Sequence, residues 1–246
     1  MRTAWRLGVE DWILFRTSPE FERHSENLAA IGRGLTQIER AHKHAIRRND
    51  SAAVETLARL HTLMLGVMAE ARLRKIVADP NGFNERERQL IWRVNTQVGR
   101  WLEAVELAFR RHYSVLTHLA VDESSLGAPV FARFQEVRGL LSGDLQPVIE
   151  DRNKDAHGQW VWRLKSRKEN EFQSDRAPLP LNYCAIESRR RVIVVIGELV
   201  HLLVVSQPGF DRHYAALMKR LDESRPRLQG AEYPQFVNQL RASKIN

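Results

Sequence analysis

The chain has 246 residues, of which 43% are hydrophobic, enough for one sizeable core without forcing a second domain. Its formal net charge is +8 at pH 7, and most of its 38 basic residues are arginine, which favours bidentate contacts with phosphate. An acidic partner such as RNA accounts for this charge, but so does a solvated Arg-rich surface set by genomic base composition. The single cysteine, Cys184, excludes an intrachain disulfide framework and a cysteine zinc cluster, and it fits a reducing cytosol.

The chain carries no pattern typical of a signal peptide or a membrane anchor. Glu10 and Asp11 interrupt the apolar stretch near the N-terminus. The longest apolar run, 192–205, contains Glu198 and His201 and is too short to span a bilayer comfortably. We therefore predict a buried helix at this run and a cytoplasmic protein without a membrane.

The first half of the chain has the composition of consecutive helices, because glycine and proline are sparse between residues 20 and 120. Ser25 is the predicted cap of the first helix, and Asp50 or Ser51 caps the second. The third opens at Asn84, and its long apolar stripe predicts the longest helix of the chain. The predicted bounds are about 25–49, 51 to a turn at 79–82, and 84–119.

The second half predicts two further long helices around an irregular stretch. After a connection at 122–129, a fourth helix runs to about His157, and Pro147 is predicted to kink or split it near 142–144. Residues 158–184 are polar and irregular, and Trp160 and Trp162 either pair as a short ribbon or pack on the helices. The last long helix spans about 185–206 and is broken at 207–209; a short helix at 211–222 and a loosely packed tail follow.

These patterns predict an all-α fold, an antiparallel bundle of four to five long helices with a short irregular insertion around 158–184. Strand signals are poor, and no repeat or Gly-rich phosphate loop is present. We predict a single helical domain over 1–246, with a core at about 25–206 and a C-terminal extension at 207–246.

The stretch from Arg152 to Trp160 is the most informative part of the sequence for function. Arginine and histidine stand five positions apart, at Arg152 and His157, with Asn153 after the arginine and Gly158 after the histidine. Residues five apart on a continuous helix point about 140° away from each other, so the helix must end or bend for both to reach one phosphate. Gly158 is typical of the position just past a helix end. A helix C-terminus with a cation favoured by the dipole is the alternative interpretation.

This stretch resembles the R-x4-6-H signature of HEPN-domain ribonucleases, in the version that reads RN-x2-AHG-x-W. HEPN domains are antiparallel helical bundles, so the resemblance agrees with the predicted fold and identifies 25–206 as a HEPN-like core. A second arginine–histidine spacing, Arg111 to His118, lacks the polar residue after the arginine and a helix-ending signal, and we interpret it as accidental.

The resemblance implies a metal-independent endoribonuclease in which a 2'-hydroxyl attacks the phosphate and leaves a 2',3'-cyclic phosphate. His157 would act as general base or acid, Arg152 would stabilise the developing charge, and Asn153 would orient the histidine or the phosphate. It also implies a toxin or defence protein that pairs as a homodimer, with two histidines facing one phosphate, and an antitoxin or nucleotidyltransferase-like partner. The alternatives are a non-catalytic HEPN-like RNA- or nucleotide-binding or scaffold protein, and a helical interaction protein with a chance motif.

Basic residues near the motif and at the start of the last long helix are the predicted contacts to nucleic acid. The helix dipole disfavours cations at that helix start, which indicates an anionic partner there, although a solvated cluster explains it equally well. The six predicted residues are Lys154, Arg163, Lys165, Arg189, Arg190 and Arg191.

No metal or cofactor is predicted. His42 and His44 stand two apart and face differently on a helix, and His112 lacks a spaced carboxylate partner. His201 is predicted to be a hydrogen-bonded core histidine rather than a ligand. Glu70 lies in an otherwise apolar helix, where it either pairs with a nearby arginine on the surface or faces a polar site in the bundle.

Overall fold

The computed structural model describes residues 18–165 and 171–243. The chain is mostly helical, as predicted, and the strands within these residues form one two-stranded sheet. The finer prediction, a HEPN-like bundle, stays a prediction.

The first two helices form a hairpin, α1 over Pro19–Arg47 and α2 over Ser51–Val77. The predicted start of α1 at Ser25 is wrong, because the hydroxyl of Ser18 accepts the N–H of Phe21 and caps the helix there. The predicted cap of α2 is confirmed: the Asp50 carboxylate accepts the N–H of Ala53. Asn49, at φ 56°, adopts the left-handed conformation that lets the chain reverse between the helices.

The predicted third helix is two helices, α3 over Glu85–Arg93 and α4 over Gln97–His112. Val94 is extended, and the Thr96 hydroxyl accepts the N–H of Gly99 and starts a new helix. The prediction of one long helix toward residue 119 is therefore wrong. The apolar stripe continues across the break, so the periodicity of the sequence did not indicate that the helix ends there.

The motif lies at the end of the next helical segment. A short helix, α5 over Glu123–Leu126, precedes α6 over Ala128–Leu140 and α7 over Gln146–Ala156. A π-helical turn over Leu141–Leu145 joins α6 to α7. The predicted split of the helix near 142–144 is confirmed, because the α-helical hydrogen-bond register is lost over Leu141–Leu145, and Pro147 has no N–H for the helical ladder.

The irregular stretch contains an antiparallel ribbon of β1, Trp162–Leu164, and β2, Phe172–Arg176, with Trp162 opposite Arg176. Trp160 lies outside the ribbon and packs on α2, where it faces the guanidinium of Arg59 at 5.7 Å. Of the two predicted alternatives, pairing in a ribbon is correct for Trp162 and packing on the helices is correct for Trp160.

The C-terminal region is more helical than predicted. α8 spans Tyr183–Val205, α9 spans Gln207–Ser224, and α10 spans Tyr233–Ala242 after a 3-10 turn over Arg225–Gln229. The predicted break after α8 is confirmed, but residues 207–209 begin α9 instead of forming a loop, because the Ser206 hydroxyl caps it.

The core lies around α2 and α8. α2 packs against α1, α7 and α8, and α8 is buried along most of its length, as predicted for the apolar run. His201 of α8 is hydrogen-bonded to Asp79 at 2.8 Å, as predicted, but its side chain is 32% exposed, so the prediction that it lies in the core is wrong. Within the described residues, α2 alone has the length and apolar composition to cross a membrane, a test that core helices of soluble proteins also pass. The absence of a membrane and the cytoplasmic location stay predictions.

Candidate functional site

Arg152 is fixed by close packing of α7 on α2. Gly66 of α2 faces the stem of Arg152, and a Cβ at Gly66 would lie 2.4 Å from the Arg152 Cβ. Real Cβ atoms do not approach so closely, so only glycine permits this approach. The backbone of α7 and the start of the Arg152 side chain are thereby set by the core.

The guanidinium of Arg152 is held by two oxygen acceptors. One nitrogen donates to Glu70 Oε2 of α2 at 3.0 Å, and the other donates to Asn153 Oδ1 at 2.9 Å. Glu70 also pairs with Arg74 at 3.0 Å, so it makes both of the contacts considered for it from the sequence. The Arg152 side chain is 32% exposed, which leaves its remaining N–H groups accessible to a ligand.

His157 follows the last residue of α7 as its C-cap. Its backbone N–H donates to the Asn153 carbonyl at 3.2 Å, and Gly158 adopts φ +70°. The predicted helix end at His157 and Gly158 is thus confirmed. The imidazole is exposed and makes no hydrogen bond within residues 18–165 and 171–243.

The rest of the motif secures the helix end. The indole N–H of Trp160 donates at 3.0 Å to the Asp155 carbonyl at the end of α7, which also accepts the backbone N–H of Gly158 at 3.2 Å. The Asp155 carboxylate is buried beside Arg59 at 3.9 Å, and burial raises its pKa in spite of that cation. The aromatic that follows the histidine therefore has a structural role here.

Arg152 and Asn153 line a groove of about 680 Å³ between α7 and the start of α4, which we call the motif groove. His157 does not line it, since α7 remains helical from Arg152 to Ala156. The structure thus places one half of the motif in a concave surface and the other half on the exposed end of the same helix. The groove residues are Glu70, Asn95, Thr96, Gln97, Val98, Gly99, Arg100, Leu102, Gln146, Ile149, Glu150, Arg152 and Asn153.

The six predicted nucleic-acid contacts lie outside the motif groove. Asp151 draws two of them together, since it pairs with Arg163 at 3.2 Å and with Arg189 at 3.1 Å. Two others are also in ion pairs, Lys165 with Glu171 and Arg190 with Glu187. Lys154 and Arg191 form no ion pair within the described part of the chain, and Arg191 is exposed.

The groove cation that sequence reasoning missed is Arg100. Its Nε donates to the Val94 carbonyl at 2.8 Å, and its guanidinium faces Trp92 at 5.5 Å. The signal that could have found it is Asn95-Thr96, a polar pair typical of a helix start inside an apolar stripe. Arg111, from the second arginine–histidine spacing, donates instead to the carbonyls of Gly82 and Val204.

Two histidines are fully buried away from the groove. His42 and His61 each have 0% exposed surface, and their ring nitrogens make no hydrogen bond within the described residues, although His61 Nε2 lies 3.5 Å from Glu187 Oε1. Burial lowers the pKa of each to about 4. Tyr183 packs against both rings and donates to Glu39 at 3.1 Å, and burial raises the pKa of its hydroxyl. No cluster of three or more metal-ligating side chains occurs among the residues that the structure describes.

Comparison of the chain with protein-family models, with curated proteins and with solved structures gives no significant match. The resemblance of residues 152–160 to the HEPN motif therefore stays a prediction.

Proposed function

We propose that this protein is a metal-independent endoribonuclease of the HEPN type, with Arg152, Asn153 and His157 as its reacting and orienting residues. The main support for the proposal is the placement of Arg152. Arg152 is held between Glu70 and Asn153 and lines the groove, and in this proposal its remaining N–H groups contact the phosphate. A fixed guanidinium beside a phosphate stabilises the charge that develops on its oxygens during cleavage.

His157 supplies the proton transfer in this mechanism. As base it takes the proton of the ribose 2'-hydroxyl, whose oxygen attacks the phosphorus while the 5'-oxygen leaves, so the products are a 2',3'-cyclic phosphate and a 5'-hydroxyl. The leaving oxygen requires a proton from a second acid. One chain offers a single motif histidine, and that histidine lies outside the groove.

A homodimer that combines Arg152 of one subunit with His157 of the other would place a base in the groove, and a water molecule would then supply the proton to the leaving 5'-oxygen. Phe131, Phe134 and Leu141, the residues considered from the sequence as a source of dimer contacts, instead fill or line the core of the monomer. Exposed apolar residues follow the motif along the chain: Val161 and, on the ribbon, Trp162 and Phe172 are 43–60% exposed. We propose the dimer contact there, with the roughly 1,200 Å² of total burial that a stable interface needs.

Mixing two inactive variants tests this arrangement. Arg152→Ala and His157→Ala should each lose most activity alone. Co-refolded together they form heterodimers that contain one intact arginine–histidine pair, so activity should return to about a quarter of the wild-type level. A mixture as inactive as its components would contradict the shared site.

The second candidate is a non-catalytic RNA-binding or scaffold protein. The ion pair between Arg152 and Glu70 favours it, because a carboxylate already occupies one edge of the guanidinium. The pair is about one-third exposed, so it is weak and a phosphate can displace it. Tight RNA binding without cleavage by the wild-type protein would support this candidate. A pull-down experiment would test separately for an antitoxin or nucleotidyltransferase-like partner.

A further inference from the structure

The motif groove is lined by an unusual concentration of amide side chains. Four of its residues carry a side-chain amide, and two carry a guanidinium, Arg100 and Arg152. Amides of asparagine and glutamine offer a donor and an acceptor side by side, the pattern that base edges of nucleic acids match. The four amide residues are Asn95, Gln97, Gln146 and Asn153.

Gln97 provides a hydrogen-bond donor that the protein leaves unused. Its Nε2 is buried and has no acceptor within the described residues, and other atoms of the residue line the groove. A buried donor without an acceptor is unfavourable, and a side-chain rotation that turns this donor toward an acceptor on a ligand removes the penalty. Gln146 is different, since it already donates to Glu150 at 2.7 Å, which leaves only its oxygen for a ligand.

Arg100 provides a cation that is fixed in place but not neutralised. Its Nε is bound to the Val94 carbonyl, and Trp92 supports the face of its guanidinium. It forms no ion pair with a carboxylate in the part of the chain that the structure describes, in contrast to Arg152, which Glu70 holds. The groove thus has one unneutralised guanidinium at the α4 side and one held guanidinium at the α7 side.

We propose that the motif groove binds one nucleotide of single-stranded RNA next to the cleaved phosphate, with Arg100 on its phosphate and Gln97 on its base. This inference rests on the proposed function and adds the residues that set its sequence preference. The groove volume of about 680 Å³ lies within the range of roughly 300–1,000 Å³ that small-ligand sites occupy. The amides favour a single-stranded substrate, because the major-groove base edges of an RNA duplex are out of reach of side chains and sequence is read mainly on unpaired bases.

The test measures binding separately from cleavage. All variants are made in a His157→Ala background, and fluorescence anisotropy follows binding of a labelled single-stranded RNA of mixed sequence. Gln97→Ala and Arg100→Gln should each weaken binding by about tenfold, and Arg100→Gln should lower the salt dependence by about one phosphate contact. Gln89→Ala and Arg93→Ala, on α3 outside the groove, are the matched controls and should bind as the parent does.

A second measurement, of cleavage sites, is needed in case Arg100→Gln weakens binding only because it perturbs the start of α4. Sequencing of cleavage products compares the wild type with Gln97→Ala, and the variant should cleave at a broader set of nucleotides. Groove variants that bind and cleave like their controls would overturn the inference while leaving the ribonuclease proposal intact. Loss of binding in groove variants of a protein that never cleaves RNA would support the groove and reject catalysis, and a wild type that binds no single-stranded RNA would reject both.

Discussion

Acidification should destabilise this protein through its two buried histidines. His42 and His61 are completely covered, and burial is the main cause that lowers the pKa of each to about 4. For His61, the neighbouring His42, Arg190 and Lys43 lower the pKa further, and Glu39 opposes them. In the unfolded chain both histidines titrate near the ordinary value of 6.5. The unfolded state therefore binds more protons than the native state between these values, and stability falls as pH drops from 6.5 toward 4.

The magnitude follows from the two pKa values. Lowering the pKa from 6.5 to about 4 corresponds to about 3 kcal/mol for each histidine once the pH is below both values. At about pH 5 the loss is about 2 kcal/mol for each, and about 4 kcal/mol for the pair. Since a typical domain has about 5–15 kcal/mol in total, this loss should be large enough to measure easily.

Urea unfolding followed by far-UV circular dichroism at about pH 7.5 and pH 5 measures this loss. The double variant His42→Leu/His61→Leu should keep most of its stability at the lower pH, because leucine cannot titrate. His213→Leu, at an exposed position, is the control and should lose as much stability as the wild type. A wild-type stability that is equal at both pH values, or an equal loss in the double variant, would refute the reasoning.

Two further predictions concern the placement of the motif. Gly66→Ala should lower the free energy of unfolding by about 1–3 kcal/mol, because its methyl group would overlap the stem of Arg152. The control Gly32→Ala meets open space on α1 and should leave stability equal or slightly higher. Thermal denaturation compares the two variants, and equal melting temperatures would contradict the close approach. Trp160→Phe should cost about 1 kcal/mol, because it keeps the ring but loses the N–H bond to the Asp155 carbonyl; an unchanged urea midpoint would show that this bond does not secure α7.

Local signals in the sequence were sufficient for some of the fold. The cap at Asp50 and the helix end at His157–Gly158 depend on residues within one turn, and both are confirmed. The break between α3 and α4 was missed because no glycine or proline lies within it, and the apolar residues keep their helical spacing on both sides of Thr96. Ser25 looked like a cap, but its hydroxyl bonds the Phe21 carbonyl inside α1.

The candidate site was less accessible to sequence reasoning, because its contacts are long-range. Arg152 and Glu70 lie 82 positions apart, and no spacing rule connects them. The groove depends on where α4 begins relative to α7, so Arg100 and Gln97 emerge only from the packing. Nearby charges were poor guides, since Arg163 and Arg189 are both drawn into ion pairs with Asp151 beside the motif.

Cleavage of RNA in the presence of EDTA tests the central claim most directly. The wild type should cut a single-stranded RNA without a divalent metal and leave 2',3'-cyclic phosphate ends. His157→Ala should lose most of this activity while its circular dichroism spectrum is unchanged, and His213→Ala, another exposed histidine, should remain fully active. Activity that disappears in EDTA and returns with magnesium, or a His157→Ala variant that cleaves like the wild type, would contradict the account.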